Sequence, residues 1–274
     1  MHGLPVHDPD RADLDEVRRA LQSGQFGIQE DEGAVQDRSR LRKIRPNSVA
    51  SAAMTKLLDC VQLEPKTEAT HAVIWLHGLG ADGHDFEPIV PELGLDPKLA
   101  IRFVFPHAPK IPVTLNGGMV MPAWYDITTM DLRRRHDAAG IAKSVAEVNA
   151  LIQREVDRGI PRSNILLAGF SQGGAIALYA GLTHPEPLAG IVALSTYLVL
   201  EDQLAEERHP ANHSIPIFQA HGTHDPVVVF ERGERSHAKL TEWGYTTDWH
   251  TYPMLHQVCL EEILELGKWM GARF

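Results

Sequence analysis

The sequence predicts an α/β fold in which an open, mostly parallel central sheet is covered by helices on both faces. Two observations predict it. From residue 70 onward, apolar runs of strand length alternate with longer amphipathic stretches, and those runs read as buried strands that lead into glycine-bearing loops. HAVIWLHG (71–78) is the first such strand, IRFVFP (101–106) the second, and NILLAGFSQGG (164–174) a third that breaks into a helix. Helical stretches follow at AAGIAKSVAEVNALIQREVDRG (138–159), GGAIALYAGLTH (173–184), ERGERSHAKLTEWG (231–244) and VCLEEILELGKWMGARF (258–274). LAGIVALST (188–196), IPIFQAHG (215–222) and TDWHTYP (247–253) supply the later strands. In such a sheet, ligands bind beyond the carboxyl ends of the strands.

At 274 residues, with 43 % hydrophobic and 23 % charged content, the chain suits one large core rather than two enzymatic domains. A net charge of −10 argues against a nucleic-acid partner. The two cysteines, Cys60 and Cys259, form neither a CxxC pair nor a disulfide framework, which favours a reducing, cytoplasmic setting. No run approaches the roughly 18 apolar residues of a membrane span, so stable membrane insertion is not expected. Residues 1–53 form an N-terminal extension of disorder-leaning composition, followed by a catalytic domain over 54–274. Within the extension, Leu14, Val17 and Leu21 share one helical face, and the basic cluster Arg38, Arg40, Arg42, Lys43 and Arg45 reads as a solvated surface. Met54 stands at the composition break and is a candidate alternative start.

The most informative motif is Gly169-Phe170-Ser171-Gln172-Gly173, a G-x-S-x-G set between an apolar strand and a helix of small residues. A serine on that turn is held in a strained conformation that projects its hydroxyl, the nucleophile elbow of α/β-hydrolases. A serine hydroxyl is a poor nucleophile at neutral pH and needs a base, and the base needs an orienting group. In this fold their order along the chain is Ser, Asp or Glu, then His. Asp225 follows the strand IPIFQAHG and His256 follows TDWHTYP, so both occupy loops at the sheet edge where Ser171 lies. His224 is the rival base and Asp248 the rival acid. Neighbours in a turn rarely face one another, however, and Asp248 falls on the exposed side of a strand.

An acyl-transfer site also needs donors for the developing oxyanion. His77-Gly78-Leu79-Gly80, after the first strand, offers the Leu79 N–H, and the residue beside the nucleophile offers the Gln172 N–H. Both are backbone roles, so the side chains of Leu79 and Gln172 are expected to matter little. His77 is expected to hold its loop by hydrogen bonds. The loop lacks the lysine and glycine spacing of a phosphate cradle.

HGLGADGHDF (77–86), FPHAP (105–109), NGG followed by MPAWYDI (116–127), GFSQGGA (169–175), HGTHDPVV (221–228) and YPMLHQVCLEEI (252–263) together resemble the small carboxylesterase/phospholipase family, which includes bacterial carboxylesterases and acyl-protein thioesterases. The resemblance spans most of residues 54–274 and looks closest to the bacterial branch. It implies the same five site residues, an acyl pocket walled by Trp124, no metal or organic cofactor, a small-molecule ester or thioester substrate, and pairing of two copies through exposed apolar surface. Leu255 and Gln257 depart from the glycine and acidic residue that flank the histidine in many bacterial relatives. The expected activity is hydrolysis of short- to medium-chain carboxylic esters through an acyl-serine. Acyl-protein thioesterase or lysophospholipase activity is the alternative, and a non-catalytic binding module is a more distant one.

Overall fold

The computed structural model describes residues 57–128 and 136–274. The expectations for residues 1–53 and for Met54 lie outside the described residues. Nine strands are present among them: β1 (Cys60–Leu63), β2 (His71–Leu76), β3 (Ile101–Pro106), β4 (Lys110–Val113), β5 (Met119–Pro122), β6 (Ile165–Phe170), β7 (Gly190–Leu194), β8 (Ile217–Gly222) and β9 (Thr247–Tyr252). The main sheet runs β1-β3-β2-β6-β7-β8-β9, parallel throughout except that β1 is antiparallel to β3. The helices are α1 (Ala138–Asp157), α2 (Gln172–Thr183), α3 (Glu201–Glu207), α4 (Phe230–Glu242) and α5 (Leu260–Gly271).

The inner strands β2, β6 and β7 are apolar along almost their whole length because both faces of the sheet are covered there. Ala72, Ile74 and Leu76 of β2 pack with Ile165 and Leu167 of β6 and with Ile141, Val148 and Leu151 of α1. The intervening Val73, Trp75, Leu166 and Ala168 pack on the other face with Ile263, Leu266 and Trp269 of α5. α2 is buried almost all round, which is why its sequence shows small and apolar residues without a polar stripe. These two cores hold β2, β6, β7, β8 and β9 as consecutive parallel strands, so the loops leaving their carboxyl ends share one edge.

Four elements were not expected from the sequence. β1 is a four-residue antiparallel edge strand, too short to register as a pattern. β4 and β5 form a separate two-stranded hairpin whose Pro112 and Pro122 argue against strand. α3 is a seven-residue polar helix with a single buried side chain, Leu204. The hairpin bears on function, because Val113 and Met121 pack beneath Leu79, and the Gly80 N–H donates to the Pro122 carbonyl at 2.9 Å.

Candidate active site

Ser171 stands alone between β6 and α2 with φ 52° and ψ −120°, a conformation that costs a non-glycine residue about 1–3 kcal/mol. Neighbouring groups hold it there. The Ser171 N–H donates to the Leu194 carbonyl at 2.9 Å, and the Ser171 carbonyl accepts from the Thr196 hydroxyl at 2.6 Å. The flanking glycines are required by close approach. A Cβ on Gly173 would fall on the carbonyls of Leu76 and His77, and one on Gly169 would strike the backbone of Gly173. The turn thus brings the β2 loop directly against the serine, with the Cβ position of Gly78 only 3.6 Å from Ser171 Cβ.

His256 follows β9, and its Nε2 lies 2.9 Å from Ser171 Oγ. Its Nδ1 lies 2.6 Å from Asp225 Oδ2. The other carboxylate oxygen, Oδ1, accepts the N–H groups of Val227 at 2.8 Å and Val228 at 2.9 Å, so the turn after β8 fixes the rotation of the carboxylate. The Asp225 side chain is fully buried, whereas the His256 ring keeps 16 % exposure, enough for a substrate to reach it. Phe170 packs on the His256 ring at 4.8 Å between centroids. Buried His221 donates Nε2–H to the Val228 carbonyl at 2.7 Å and so closes the loop that carries Asp225. Burial pushes the His221 imidazole down, which keeps it neutral.

The N–H groups of Leu79 and Gln172 have no acceptor among the described residues and are therefore free to bind an oxyanion. Behind them lies a buried polar chain. His77 Nε2 accepts the Ala108 N–H at 3.0 Å, which leaves the proton on Nδ1, and Nδ1 donates to the Gly78 carbonyl at 2.7 Å. Burial pushes the His77 imidazole down to about 4, so this neutral tautomer persists across the physiological range.

The structure brings Ser171, Asp225 and His256 together and sets the Gly78–Leu79 turn against the elbow. It does not bring in the rivals: His224 is exposed beside Thr223, and Asp248 pairs with His250 on the outer strand. Trp124 is only 2 % exposed and donates its indole N–H to the His77 carbonyl at 2.8 Å. It thereby braces the loop from behind. Leu255 is 55 % exposed beside His256. The sequence reading missed the Gln172 carboxamide, which binds Trp124 N–H at 2.8 Å and the Tyr125 carbonyl at 2.7 Å. The only local signal was an amide side chain next to the nucleophile on a helix otherwise made of small and apolar residues.

A family model described as Phospholipase/Carboxylesterase matches residues 59–271. The chain belongs to this family. It is 47 % identical over 213 residues to acyl-protein thioesterase 1 of Neurospora crassa, covering 74 % of this chain and 87 % of that one. It is 40 % identical over 231 residues to acyl-protein thioesterase 1 of Mycosarcoma maydis, covering 78 % and 96 %. Among solved structures, Arabidopsis thaliana SOBER1 is 31 % identical with a TM-score of 0.70, covering 74 % of this chain and 98 % of that chain. The Bacillus cereus carboxylesterase is 19 % identical over 80 % of this chain and 96 % of that one, with a TM-score of 0.64, and shows the fold alone. The expected leaning toward bacterial carboxylesterases is thereby corrected, since relatives at 40–47 % identity are fungal acyl-protein thioesterases. As a member of the phospholipase/carboxylesterase family, the protein is a hydrolase of ester or thioester bonds. Among the described residues no helix is long and apolar enough to cross a membrane.

Proposed function

We propose that the protein is an acyl-protein thioesterase that uses Ser171 as nucleophile, His256 as general base and acid, Asp225 as the group that orients it, and the N–H groups of Leu79 and Gln172 as oxyanion donors. One observation carries the mechanism: the unbroken hydrogen-bond chain from Ser171 Oγ through His256 to Asp225, at 2.9 and 2.6 Å. The fungal relatives support the substrate class.

In the forward step Ser171 Oγ attacks the thioester carbonyl carbon while its proton moves to His256 Nε2. Asp225 balances the imidazolium formed. The carbonyl oxygen gains negative charge against the two backbone donors and the N-terminal end of α2. Collapse breaks the carbon–sulfur bond, His256 returns its proton to the sulfur, and an acyl-serine remains. Water, deprotonated by His256, then attacks that ester and releases the carboxylic acid and Ser171. A thiol leaves more readily than an alcohol because its pKa is near 8.5, so the same atoms turn over thioesters with less help from His256 as acid. Soluble short esters and lysophospholipids are expected as slower alternative substrates. Unpaired Cys60 and Cys259 support a cytoplasmic setting, and exposed Leu115 and Val120 support pairing of two copies.

The test compares kcat/KM for an S-acyl cysteine peptide and its O-acyl serine counterpart with the same acyl chain. Faster turnover of the thioester supports the reading. A soluble short-chain p-nitrophenyl ester hydrolysed well while the thioester peptide is left intact would make the protein a carboxylesterase instead.

A further inference from the structure

We propose that the side chain of Gln172 is a positioning residue for the oxyanion hole, acting through Trp124 and His77 on the peptide group that carries the Leu79 N–H. The proposal rests on the assignment of Ser171 as nucleophile. Gln172, Trp124 and His77 are each 2 % exposed, so every polar atom along this path depends on protein partners rather than water. The Gln172 carboxamide accepts the Trp124 N–H at 2.8 Å and donates to the Tyr125 carbonyl at 2.7 Å, which commits both of its ends to one turn. The carbonyl of Trp124 is tied in turn to the Ser144 hydroxyl of α1. With its backbone so fixed, Trp124 delivers its indole N–H to the His77 carbonyl at 2.8 Å.

The last link is geometric. His77 Nδ1–H is donated to the Gly78 carbonyl at 2.7 Å. That carbonyl and the Leu79 N–H belong to the same planar, trans peptide group and point in opposite directions. Fixing the oxygen on the His77 side therefore aims the N–H away from it, and a carbonyl that accepts a hydrogen bond polarises its own N–H into a stronger donor. Gln172 thus serves both donors: its own N–H directly, and the Leu79 N–H through its side chain.

Gln172→Met keeps the volume and removes both side-chain hydrogen bonds, and Trp124→Phe removes only the indole N–H. The readouts are kcat, KM, the pH profile of kcat, and the affinity for a trifluoromethyl ketone, whose tetrahedral adduct with Ser171 places an oxyanion in the hole. For Gln172→Met, kcat is expected to fall about 100-fold with KM nearly unchanged, and ketone affinity to fall in proportion. Trp124→Phe is expected to lose about 10-fold in both quantities. The double variant should be little worse than Gln172→Met alone, because both act on one path. The pH profile should not move, since His256 and Asp225 are untouched. A folded Gln172→Met with kcat within about threefold of the parent, or a loss of kcat with ketone affinity intact, overturns the proposal. If Gln172→Met does not fold, Trp124→Phe decides by the same two criteria. Failure of the underlying assignment shows separately, as turnover that survives Ser171→Ala.

Discussion

Replacing Asp225 by asparagine exchanges one oxygen for an amino group, and the structure dictates where that group must go. Oδ1 takes the N–H groups of Val227 and Val228, so only an oxygen can remain there. The amide NH₂ is therefore forced into the place of Oδ2, facing His256 Nδ1 at 2.6 Å. A donor at that position requires Nδ1 to accept, which puts the imidazole proton on Nε2. His256 then presents a donor to Ser171 Oγ and cannot take its proton. The same inversion of tautomer in serine proteases costs about 10⁴ in kcat, or about 5.5 kcal/mol of barrier. The expected outcome for Asp225→Asn is a loss of that order in kcat on a soluble ester at neutral pH, with KM and the melting temperature close to parental values. Asp225→Ala, which leaves the tautomer free, should be no worse. Retention of kcat within about tenfold by Asp225→Asn would refute the reasoning, as would an alanine variant far less active than the asparagine one.

Two buried groups impose opposite pH dependences on stability. Glu262 is fully buried in α5 with Oε1 unpartnered among the described residues, and burial pushes its carboxyl from 4.5 up to about 8. A raised acid favours the fold fully below 4.5 and loses that contribution as pH climbs to about 8, so urea unfolding should show about 4 kcal/mol less from this group at the alkaline end. Glu262→Gln should remove that slope; an unchanged difference between variant and parent at pH 5 and pH 8 would contradict the assignment. His77, held down from 6.5 to about 4, acts the other way: its contribution is present above 6.5 and is lost as pH falls through 4, by about 3 kcal/mol. Acid unfolding should therefore be accompanied by loss of the oxyanion loop, seen as falling fluorophosphonate reactivity ahead of global unfolding. Gly173→Ala should lower stability by about 1–3 kcal/mol or more and abolish activity, because the added methyl meets the Leu76 and His77 carbonyls rather than a flexible side chain.

Much of this architecture was legible because burial on both faces makes a strand conspicuous. β2, β3, β6 and β7 are runs with hardly a polar residue, and each appeared at its observed place. The elements that escaped are those held by context. β1 needs β3 to exist, and the β4–β5 hairpin carries prolines that an unpaired reading rejects. At the site, Ser171 was marked by its strand, turn and helix, and Asp225 and His256 by their position beyond strand ends. What no local pattern could show is which side chains reach across the chain. Gln172 meets Trp124 at a separation of 48 residues, and Trp124 meets His77 at 47, so a residue read only for its backbone proves to be tied by its side chain as well. His256 could be preferred to His224 from its place beyond a strand end, and the structure sets its Nδ1 2.6 Å from Asp225 Oδ2.

The central claim is that Ser171 is the nucleophile of an acyl-transfer site. Fluorophosphonate labelling of parent and Ser171→Ala proteins, followed in the same samples by hydrolysis of an S-acyl peptide and of p-nitrophenyl butyrate, tests it most directly. The account predicts stoichiometric labelling and turnover of the parent, and neither in the folded alanine variant. A folded parent that is neither labelled nor active, or an alanine variant that still turns over both substrates, would contradict it.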